Sequence, residues 1–364
     1  MDLGLFCLMT QRDGSTGIGQ LYADNLALVK LAEDIGFGIA WIAEHHFSNY
    51  SMCPAPHVMM GHLAAHTSRI KLGAGVLVLP LYQPVRLIEE IGMVDILSGG
   101  RTVIGIGAGY QDFEFKRFGL SLTEAWAMTH EMLDIIELAS ERASFSYEGR
   151  HYCLPECPIA VRPLQRPLPP IYVAGNDPAM LQRVARKGYT TFHTVGYNGT
   201  DAYQKVRAHV ESNFRTAGFG PERLRFAMQR YVYVSDDQAD LLDAAERVRF
   251  IARTAAALRA KHERLDGTFI DAAPFAGELT LEQIVTNVYL GTPEQCAEKM
   301  VREIELLNPA HLSCFMQFGG LDGKRALLSM ERFGAEVLPL VRKALPALET
   351  LGEPGPKTAG QAFP

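Results

Sequence analysis

The chain has 364 residues, of which 48% are hydrophobic, and it carries a formal net charge of −6. This composition is typical of a globular protein with a large core, and it argues against a nucleic-acid surface, which requires clustered Lys and Arg. No apolar run approaches the roughly 18 residues of a membrane span. Because six scattered cysteines do not form a disulfide framework and no basic leader precedes Leu3, we expect a cytoplasmic protein.

Short apolar or β-branched runs alternate with longer amphipathic stretches along almost the whole chain. Strands are predicted, in chain order, at residues 3–8, 39–43, 70–79, 102–107, 171–174, 190–194, 225–234 and 311–316. The helices between and after them are predicted at residues 20–36, 55–67, 84–98, 121–141, from 178 onward, 200–217, 238–262, 293–307 and 323–344. Such alternation predicts parallel strands joined by right-handed crossovers. Eight strand–helix units favour one α/β domain, a (β/α)8 TIM barrel with insertions over residues 1–350.

Three segments depart from the strand–helix repeat. A small hairpin is predicted around residues 144–153. Residues 263–278 have no hydrophobic period, and we expect them to form a mobile insertion whose Phe269, Ile270 and Phe275 close over a bound ligand. Residues 351–364 are rich in Gly and Pro and are predicted to be a flexible tail.

Two adjacent histidines follow the second predicted strand. Catalytic groups of such barrels come from the carboxyl ends of strands and the loops after them. The sequence there reads Glu44, His45, His46, and histidine is the side chain best suited to proton transfer near neutral pH. The alternative is structural, with one imidazole capping the next helix and the other packed in the wall, and the residues alone leave both open.

Glycines mark the ends of the next three predicted strands. In residues 73–76 a strand glycine indicates either close backbone approach by a ligand or a bulge. Residues 105–110 would let a flat ring or a phosphate approach the backbone, although no apolar helix follows, which argues against a Rossmann site. Residues 174–178 start a helix whose free N–H groups suit a phosphate, or form a simple cap.

Two residue pairs have spacings that metal ligands also show. Cys153 and Cys157 lack a second pair, and His62 and His66 lack a third ligand and the glutamate of a zinc-protease helix. Inert thiols and surface imidazoles explain both pairs better, so we expect no metal.

Together, several motifs resemble the bacterial luciferase-like flavin-dependent monooxygenase family. The resemblance covers residues 1 to about 345, and the loop beginning at Glu44 is similar to the luciferase α-subunit side of the family. The match depends on the joint order and spacing of the segments at residues 36–37, 41–47, 79–80, 84–86, 97–101, 118–119, 170–174 and 291–294.

The resemblance implies an enzyme that uses reduced FMN and O2 to oxygenate a small apolar substrate through a flavin hydroperoxide. A separate reductase would supply the flavin, His45 would be catalytic, and the Gly75–Val76 peptide bond would be cis beneath the flavin ring. The implied cofactor-binding residues are Gly75, Val76, Gly107, Ala108, Tyr110, Gly175, Asn176 and Asp177.

The resemblance also implies a homodimer formed by the helices near residues 55–67 and 84–98. These helices carry more apolar residues than one packed face obviously uses, although packing on the barrel is a competing explanation. The apolar residues in question are Val58, Met59, Met60, Leu63, Leu87, Ile91 and Val94.

Three residues depart from the luciferase α-subunit. Ala108 and Trp126 occupy positions of arginines that hold the flavin phosphate, and Gly107 occupies that of a reactive cysteine. Because each charge-assisted contact contributes about 1.5–3 kcal/mol, we expect weaker flavin retention unless another residue compensates, and plain oxygenation rather than light emission. Two alternatives remain: an F420-dependent hydride-transfer enzyme, disfavoured by the loop at Glu44, and a non-catalytic flavin-binding or partner subunit, disfavoured by His45.

Overall fold

Eight parallel strands close into a barrel in the part of the chain that the computed structural model describes, residues 1–259 and 265–352. In chain order the barrel strands are Asp2–Cys7, Ile39–Ile42, Lys71–Ala74, Thr102–Gly107, Ile171–Ala174, Thr190–His193, Arg225–Val234 and His311–Gln317. Each strand pairs with the next, and the eighth pairs with the first, where Leu5 lies opposite Cys314. The predicted TIM barrel is therefore confirmed.

Helices surround the barrel. Over the described residues they are α1 (Ile18–Ile35), α2 (Pro56–Ala64), α3 (Pro84–Leu97), α4 (Asp112–Arg117), α5 (Ala125–Glu141), α6 (Pro178–Lys187), α7 (Thr200–Thr216), α8 (Gln238–Arg259), α9 (Leu281–Asn287), α10 (Pro293–Leu307), α11 (Gly323–Arg332) and α12 (Leu338–Ala344). Local chemistry sets their ends: Thr292 and Gln295 form a capping box at α10, with Pro293 in its first turn. No helix in the described ranges combines the length and hydropathy that crossing a membrane requires.

Short strands extend the architecture outside the barrel. Leu77–Val78 pairs with the fourth barrel strand, and Tyr289–Gly291, which the sequence analysis missed, pairs with the seventh. The predicted hairpin is present as Ser144–Glu148 paired with Cys153–Pro158.

A second hairpin, Leu265–Asp266 with Phe269–Ile270, begins the segment predicted to be a mobile insertion. Asn49 holds this hairpin against the loop after the second barrel strand. Its backbone N–H donates to the Thr268 carbonyl at 2.8 Å, and its side-chain oxygen accepts the Ile270 N–H at 2.9 Å. Residues 263–264 of the insertion and 353–364 of the predicted tail lie outside the described residues, and mobility of both segments stays a prediction.

Trp41 fills the interior of the barrel. Its ring lies 4.8 Å from that of Tyr172 between centroids, and its indole N–H donates to His311 Nε2 at 2.8 Å. A Cβ built on Gly73 would lie 2.6 Å from this ring, and one on Gly105 would lie 3.2 Å from it. These two strand glycines therefore make room for Trp41 rather than for a ligand, which corrects the ligand interpretation of position 73.

Most of the apolar residues assigned to a dimer interface pack inside the protein. Val58 is 73% exposed, but the other six are buried in the core against the barrel and one another, namely Met59, Met60, Leu63, Leu87, Ile91 and Val94. The expectation for those six was wrong because a helical apolar pattern does not say which partner covers it. Helix α3 instead exposes Met93 and Leu97, each 57%.

A buried ion pair links the seventh barrel strand to α10. The Arg230 guanidinium contacts Glu303 through two nitrogens, with Nε 2.9 Å from Oε2. The same carboxylate accepts hydrogen bonds from the Tyr289 hydroxyl at 2.6 Å and the Thr200 hydroxyl at 2.7 Å. Arg230 is 0% exposed and Glu303 is 2% exposed, so removal of either partner leaves a charge without compensation.

We expect Arg230→Met to lower the free energy of unfolding by about 3–5 kcal/mol, because it leaves the buried Glu303 carboxylate without its ion-pair partner. Urea unfolding followed by circular dichroism measures the change. The double variant Arg230→Met with Glu303→Leu serves as the control and should recover most of the loss. A loss below about 1 kcal/mol in the single variant would contradict this account.

Candidate active site

A cavity of about 970 Å³ opens at the carboxyl end of the barrel. This volume is at the upper end of the usual range for small-molecule sites, and catalytic groups of such barrels lie at this end. Of the predicted site residues, seven line it: His45, Gly75, Val76, Gly107, Ala108, Tyr110 and Gly175. Asn176 and Asp177 lie outside the lining.

His45 is held by side chains from the loops after the second and fourth barrel strands and from α4. Its Nδ1 lies 3.3 Å from Glu114 Oε1 and 3.0 Å from Gln111 Nε2, and its ring packs edge-on against Tyr50, with centroids 4.8 Å apart. Glu114 is 1% exposed, and it also accepts the His46 backbone N–H at 2.7 Å. The imidazole is thereby fixed at the wall of the cavity.

The same contacts set the tautomer of His45. A carboxylate only accepts hydrogen bonds, so Glu114 favours a proton on Nδ1. The Gln111 amide, whose Oε1 is buried without a partner among the described residues, can turn to present that oxygen to the same proton, since amide orientation is assigned from such contacts. Nε2 of His45 then keeps its lone pair for the cavity, as a general base requires.

His46 has structural contacts instead. Its Nε2 lies 3.1 Å from Glu44 Oε1, and its ring packs against Phe118 at 4.9 Å between centroids. Glu44 Oε2 accepts the Val78 N–H at 3.0 Å and the Tyr82 hydroxyl at 2.8 Å. Of the two histidines, His45 alone lines the cavity.

The wall beside His45 consists largely of backbone. The Gly75–Val76 peptide bond is cis, which confirms the prediction. A Cβ on Gly107 would lie 2.7 Å from Val76 Cγ2, and one on Gly109, whose φ is +79°, would lie 2.7 Å from Phe115. Glycine is therefore required at positions 107 and 109 by the protein's own packing, because any other residue type would clash with Val76 or Phe115.

The indole of Trp126, on α5, packs against the loop after the fifth barrel strand, where the resemblance implies a flavin phosphate. A Cβ on Gly175, whose φ is +141°, would lie 2.4 Å from the Trp126 ring. The Asp177 carboxylate accepts the Met180 N–H at 2.8 Å and faces His130 Nε2 at 3.4 Å. Asp177 thus already caps α6, and the phosphate-binding role assigned to it and to Asn176 stays a prediction.

His193 is a site residue that the sequence analysis missed. It ends the sixth barrel strand, lines the cavity, and is 6% exposed. Its ring stacks on Phe226 at 5.3 Å, and its Nε2 has no hydrogen-bond partner in the described ranges. Because buried polar groups normally have partners, this atom is a candidate contact for a ligand. Its place at the carboxyl end of a predicted strand could have identified it from the sequence.

Burial lowers the pKa of two histidines, so the stability of the fold should depend on pH. Desolvation lowers the pKa of His193 from 6.5 to about 4, and that of His311, inside the barrel, from 6.5 to about 3. Between pH 6.5 and 4 the unfolded chain therefore binds protons that the folded protein does not.

The free energy of unfolding should consequently fall as the pH is lowered from 6.5 towards 4, and it should fall less in His193→Phe than in the unchanged protein. Urea unfolding at pH 6.5, 5.5 and 4.5 measures both slopes. His62→Phe, which replaces a helix-surface imidazole, is the control and should keep the original slope. Equal slopes for His193→Phe and the unchanged protein would show that His193 is not buried neutral.

Residues 1–307 match the family described as luciferase-like monooxygenase. The chain belongs to the luciferase-like monooxygenase family. It is 34% identical to an uncharacterized protein of Sinorhizobium fredii, with 95% of this chain and 99% of that protein covered. It is 28% identical to the oxygenase component of the flavin-dependent trigonelline monooxygenase of Acinetobacter baylyi, with 93% and 95% covered.

Solved structures of luciferase-like proteins share the fold. The oxygenating constituent of 3,6-diketocamphane monooxygenase from Pseudomonas putida, in complex with FMN, superimposes with a TM-score of 0.75 at 22% identity, covering 94% of this chain and 98% of that one. An F420-dependent secondary alcohol dehydrogenase superimposes with a TM-score of 0.73 at 18% identity, covering 94% and 99%. Proteins that share this fold therefore include one solved in complex with FMN and one that depends on F420.

The residue pairs with metal-like spacing have no further ligands. Within residues 1–259 and 265–352, no group of three or more His, Cys, Asp and Glu side chains is placed to hold a metal ion. The rings of His62 and His66 lie 4.8 Å apart, and Cys153 and Cys157 lie on one hairpin strand.

Proposed function

We propose that this protein is the oxygenase component of a two-component FMN-dependent monooxygenase that acts on a small organic substrate. The observation that carries the proposal is His45, fixed by the buried Glu114, beside a wall of glycine backbone in one cavity. Bound reduced FMN would supply the reaction with O2, in which one oxygen atom enters the substrate and the other leaves as water.

The residues of the cavity fit a flavin. Gly75 and Gly107 line the cavity and carry no side chain of their own, so a flat ring can lie against the backbone at these two positions. Burial raises the pKa of Tyr110 and of Tyr231 well above 10, so both hydroxyls stay protonated in the cavity. A wall of neutral aromatic groups keeps water away from a reactive cofactor.

The contacts available to the flavin phosphate are weak. The indole of Trp126 carries no charge, and Asp177 places a carboxylate at the start of α6. His130 and His209, which lie against Asp177 and the Asn176 carbonyl, are the candidate hydrogen-bond donors at this loop. Such a site would release its flavin readily, as an oxygenase that receives reduced FMN from a separate cytoplasmic reductase requires.

The role proposed for His45 is proton transfer at Nε2. Glu114 holds Nδ1 and stabilises the imidazolium that forms when Nε2 takes up a proton. Because Glu114 is buried and bonded to the His46 backbone, it also keeps the ring from turning. Glu114 is thus a positioning residue for His45.

We expect His45→Ala to fold normally and to bind reduced FMN, but to form product about a hundredfold more slowly or worse. The measurement is product formed per flavin oxidised, compared with H2O2 released, on a substrate that the unchanged protein oxygenates. His46→Ala is the control and should retain more activity, since its ring lies outside the cavity. Wild-type yield and rate in His45→Ala would overturn the assignment.

We further propose a homodimer in which the exposed apolar side chains of α2 and α3 are covered by a second copy. Val58, Met93 and Leu97 are all more than half exposed and lie on two helices that pack together, and exposed apolar patches mark interaction surfaces.

Leu97→Asp should shift the protein from dimer to monomer at micromolar concentration, because the new carboxylate would be buried in the interface. Sedimentation equilibrium measures the stoichiometry. Leu328→Asp is a matched control, since Leu328 is likewise 60% exposed but lies on α11. A wild-type protein that sediments as a monomer would exclude the interface.

A further inference from the structure

Arg259 gives the cavity a positive charge that nothing in the mechanism so far uses. It is the last residue of α8, and its guanidinium carbon lies 4.8 Å from the centroid of the Tyr110 ring. Among the described residues that line the cavity, Arg259 is the only lysine or arginine. The contact with Tyr110 holds the guanidinium over the ring, and the N–H donors at its edge stay available.

The other arginines of α8 are paired with acids. Arg247 contacts Asp243 at 2.9 Å, Arg249 contacts Glu246, and Arg253 contacts Glu278. Arg259 has no such partner within residues 1–259 and 265–352. Among the described residues, no acid lies beside Arg259 at the cavity, a position suited to binding an external anion.

The acids that line the cavity are already engaged. Glu114 binds His45 and the His46 backbone, while Glu44 binds Tyr82, Val78 and the His46 ring. Neither carboxylate can turn towards Arg259 without leaving buried donors unpaired, which costs about 1–3 kcal/mol for each group. Neither of the two acids among the described lining residues therefore neutralises the Arg259 guanidinium.

The wall next to Arg259 is apolar and made of small residues. One face of α8 lines the cavity, with the helical spacing i, i+1, i+4, i+5, through Ile251, Ala252, Ala255 and Ala256. Phe275, from the segment after the second hairpin, also lines this cavity. The alanines leave room for a flat apolar body beside the helix.

His45 lies close to this compartment. The Tyr110 ring contacts the His45 ring at 5.8 Å between centroids and the Arg259 guanidinium at 4.8 Å. One aromatic ring thus bridges the cation and the proposed proton-transfer group. A substrate of about the size of one aromatic ring with a short acidic group would reach both.

We propose that the substrate class of this site is small aromatic carboxylates, and that Arg259 binds the carboxylate while the ring lies on the alanine face of α8. The planar guanidinium matches a carboxylate through two parallel N–H donors. The inference rests on the proposed monooxygenase function, which it narrows from small organic substrates to acidic ones. It makes Arg259 a specificity residue.

The test compares acids with their uncharged amides. Benzoate and phenylacetate are titrated into the FMN-saturated protein by calorimetry, in parallel with benzamide and phenylacetamide. The acids should bind at least tenfold more tightly than the amides, and Arg259→Gln should remove the difference. Arg249→Gln, on the same helix but paired with Glu246, should keep it.

Three results would overturn the inference: no binding of either acid at millimolar concentration, equal affinity for acids and amides, or an unchanged difference in Arg259→Gln. Ala256→Leu provides a second variant, which should weaken acids and amides alike by filling the compartment. If Ala256→Leu leaves the affinities for acids and amides unchanged, the ring does not lie on the alanine face of α8, and the proposal is contradicted.

A flavin-binding measurement separates this inference from the function on which it rests. The affinity for reduced FMN is measured anaerobically by absorbance for the unchanged protein and for Arg259→Gln, and the two should agree within about twofold. A protein that does not bind reduced FMN refutes the proposed function itself. An equal loss of FMN and acid binding in Arg259→Gln would assign the arginine to the flavin and refute only the substrate class.

Discussion

Two buried carboxylates fix the geometry on which the whole site depends. Glu44 and Glu114 lie at the carboxyl end of the barrel, 3% and 1% exposed. A buried carboxylate is tolerated only when its oxygens are hydrogen-bonded. Glu114 accepts the His46 backbone N–H and contacts His45 Nδ1, whereas Glu44 contacts His46 Nε2 and accepts the Val78 N–H and the Tyr82 hydroxyl. These hydrogen bonds determine which histidine faces the cavity. His45 is thereby available for proton transfer, whereas His46 has a structural role.

Side chains fill the interior of the barrel, so a ligand site can form only at its rim. Trp41 occupies the centre of the barrel, and the strand glycines make room for its ring. A ligand can therefore bind only between the loops at the carboxyl end and the last turns of α8. The backbone wall at Gly75–Val76, the imidazole of His193 and the guanidinium of Arg259 therefore face one space from different sides. A flavin on the backbone wall and a small acid on α8 would both lie within it.

Features with a strong local signal could be predicted from the sequence. The strands at residues 102–107, 171–174 and 225–234 match the structure at both ends, and His45 was found because it follows a strand. Glu114 was missed because its helix, α4, has only six residues and shows no helical period. Arg259 could not be connected with Tyr110 because the contact joins residues far apart in the chain. The prediction that six apolar residues of α2 and α3 lie in a dimer interface was wrong for a similar reason, because an apolar pattern does not show which surface covers it.

The central claim is that this cavity holds reduced FMN, although related enzymes with the same fold use F420. The choice of cofactor decides between oxygen transfer and hydride transfer, and His45 has its proposed role only in the first. Anaerobic titration of the protein with photoreduced FMN and, separately, with reduced F420 tests it most directly. The account predicts saturable, micromolar binding of reduced FMN and much weaker binding of reduced F420. Preference for F420, or no binding of reduced FMN, would contradict it.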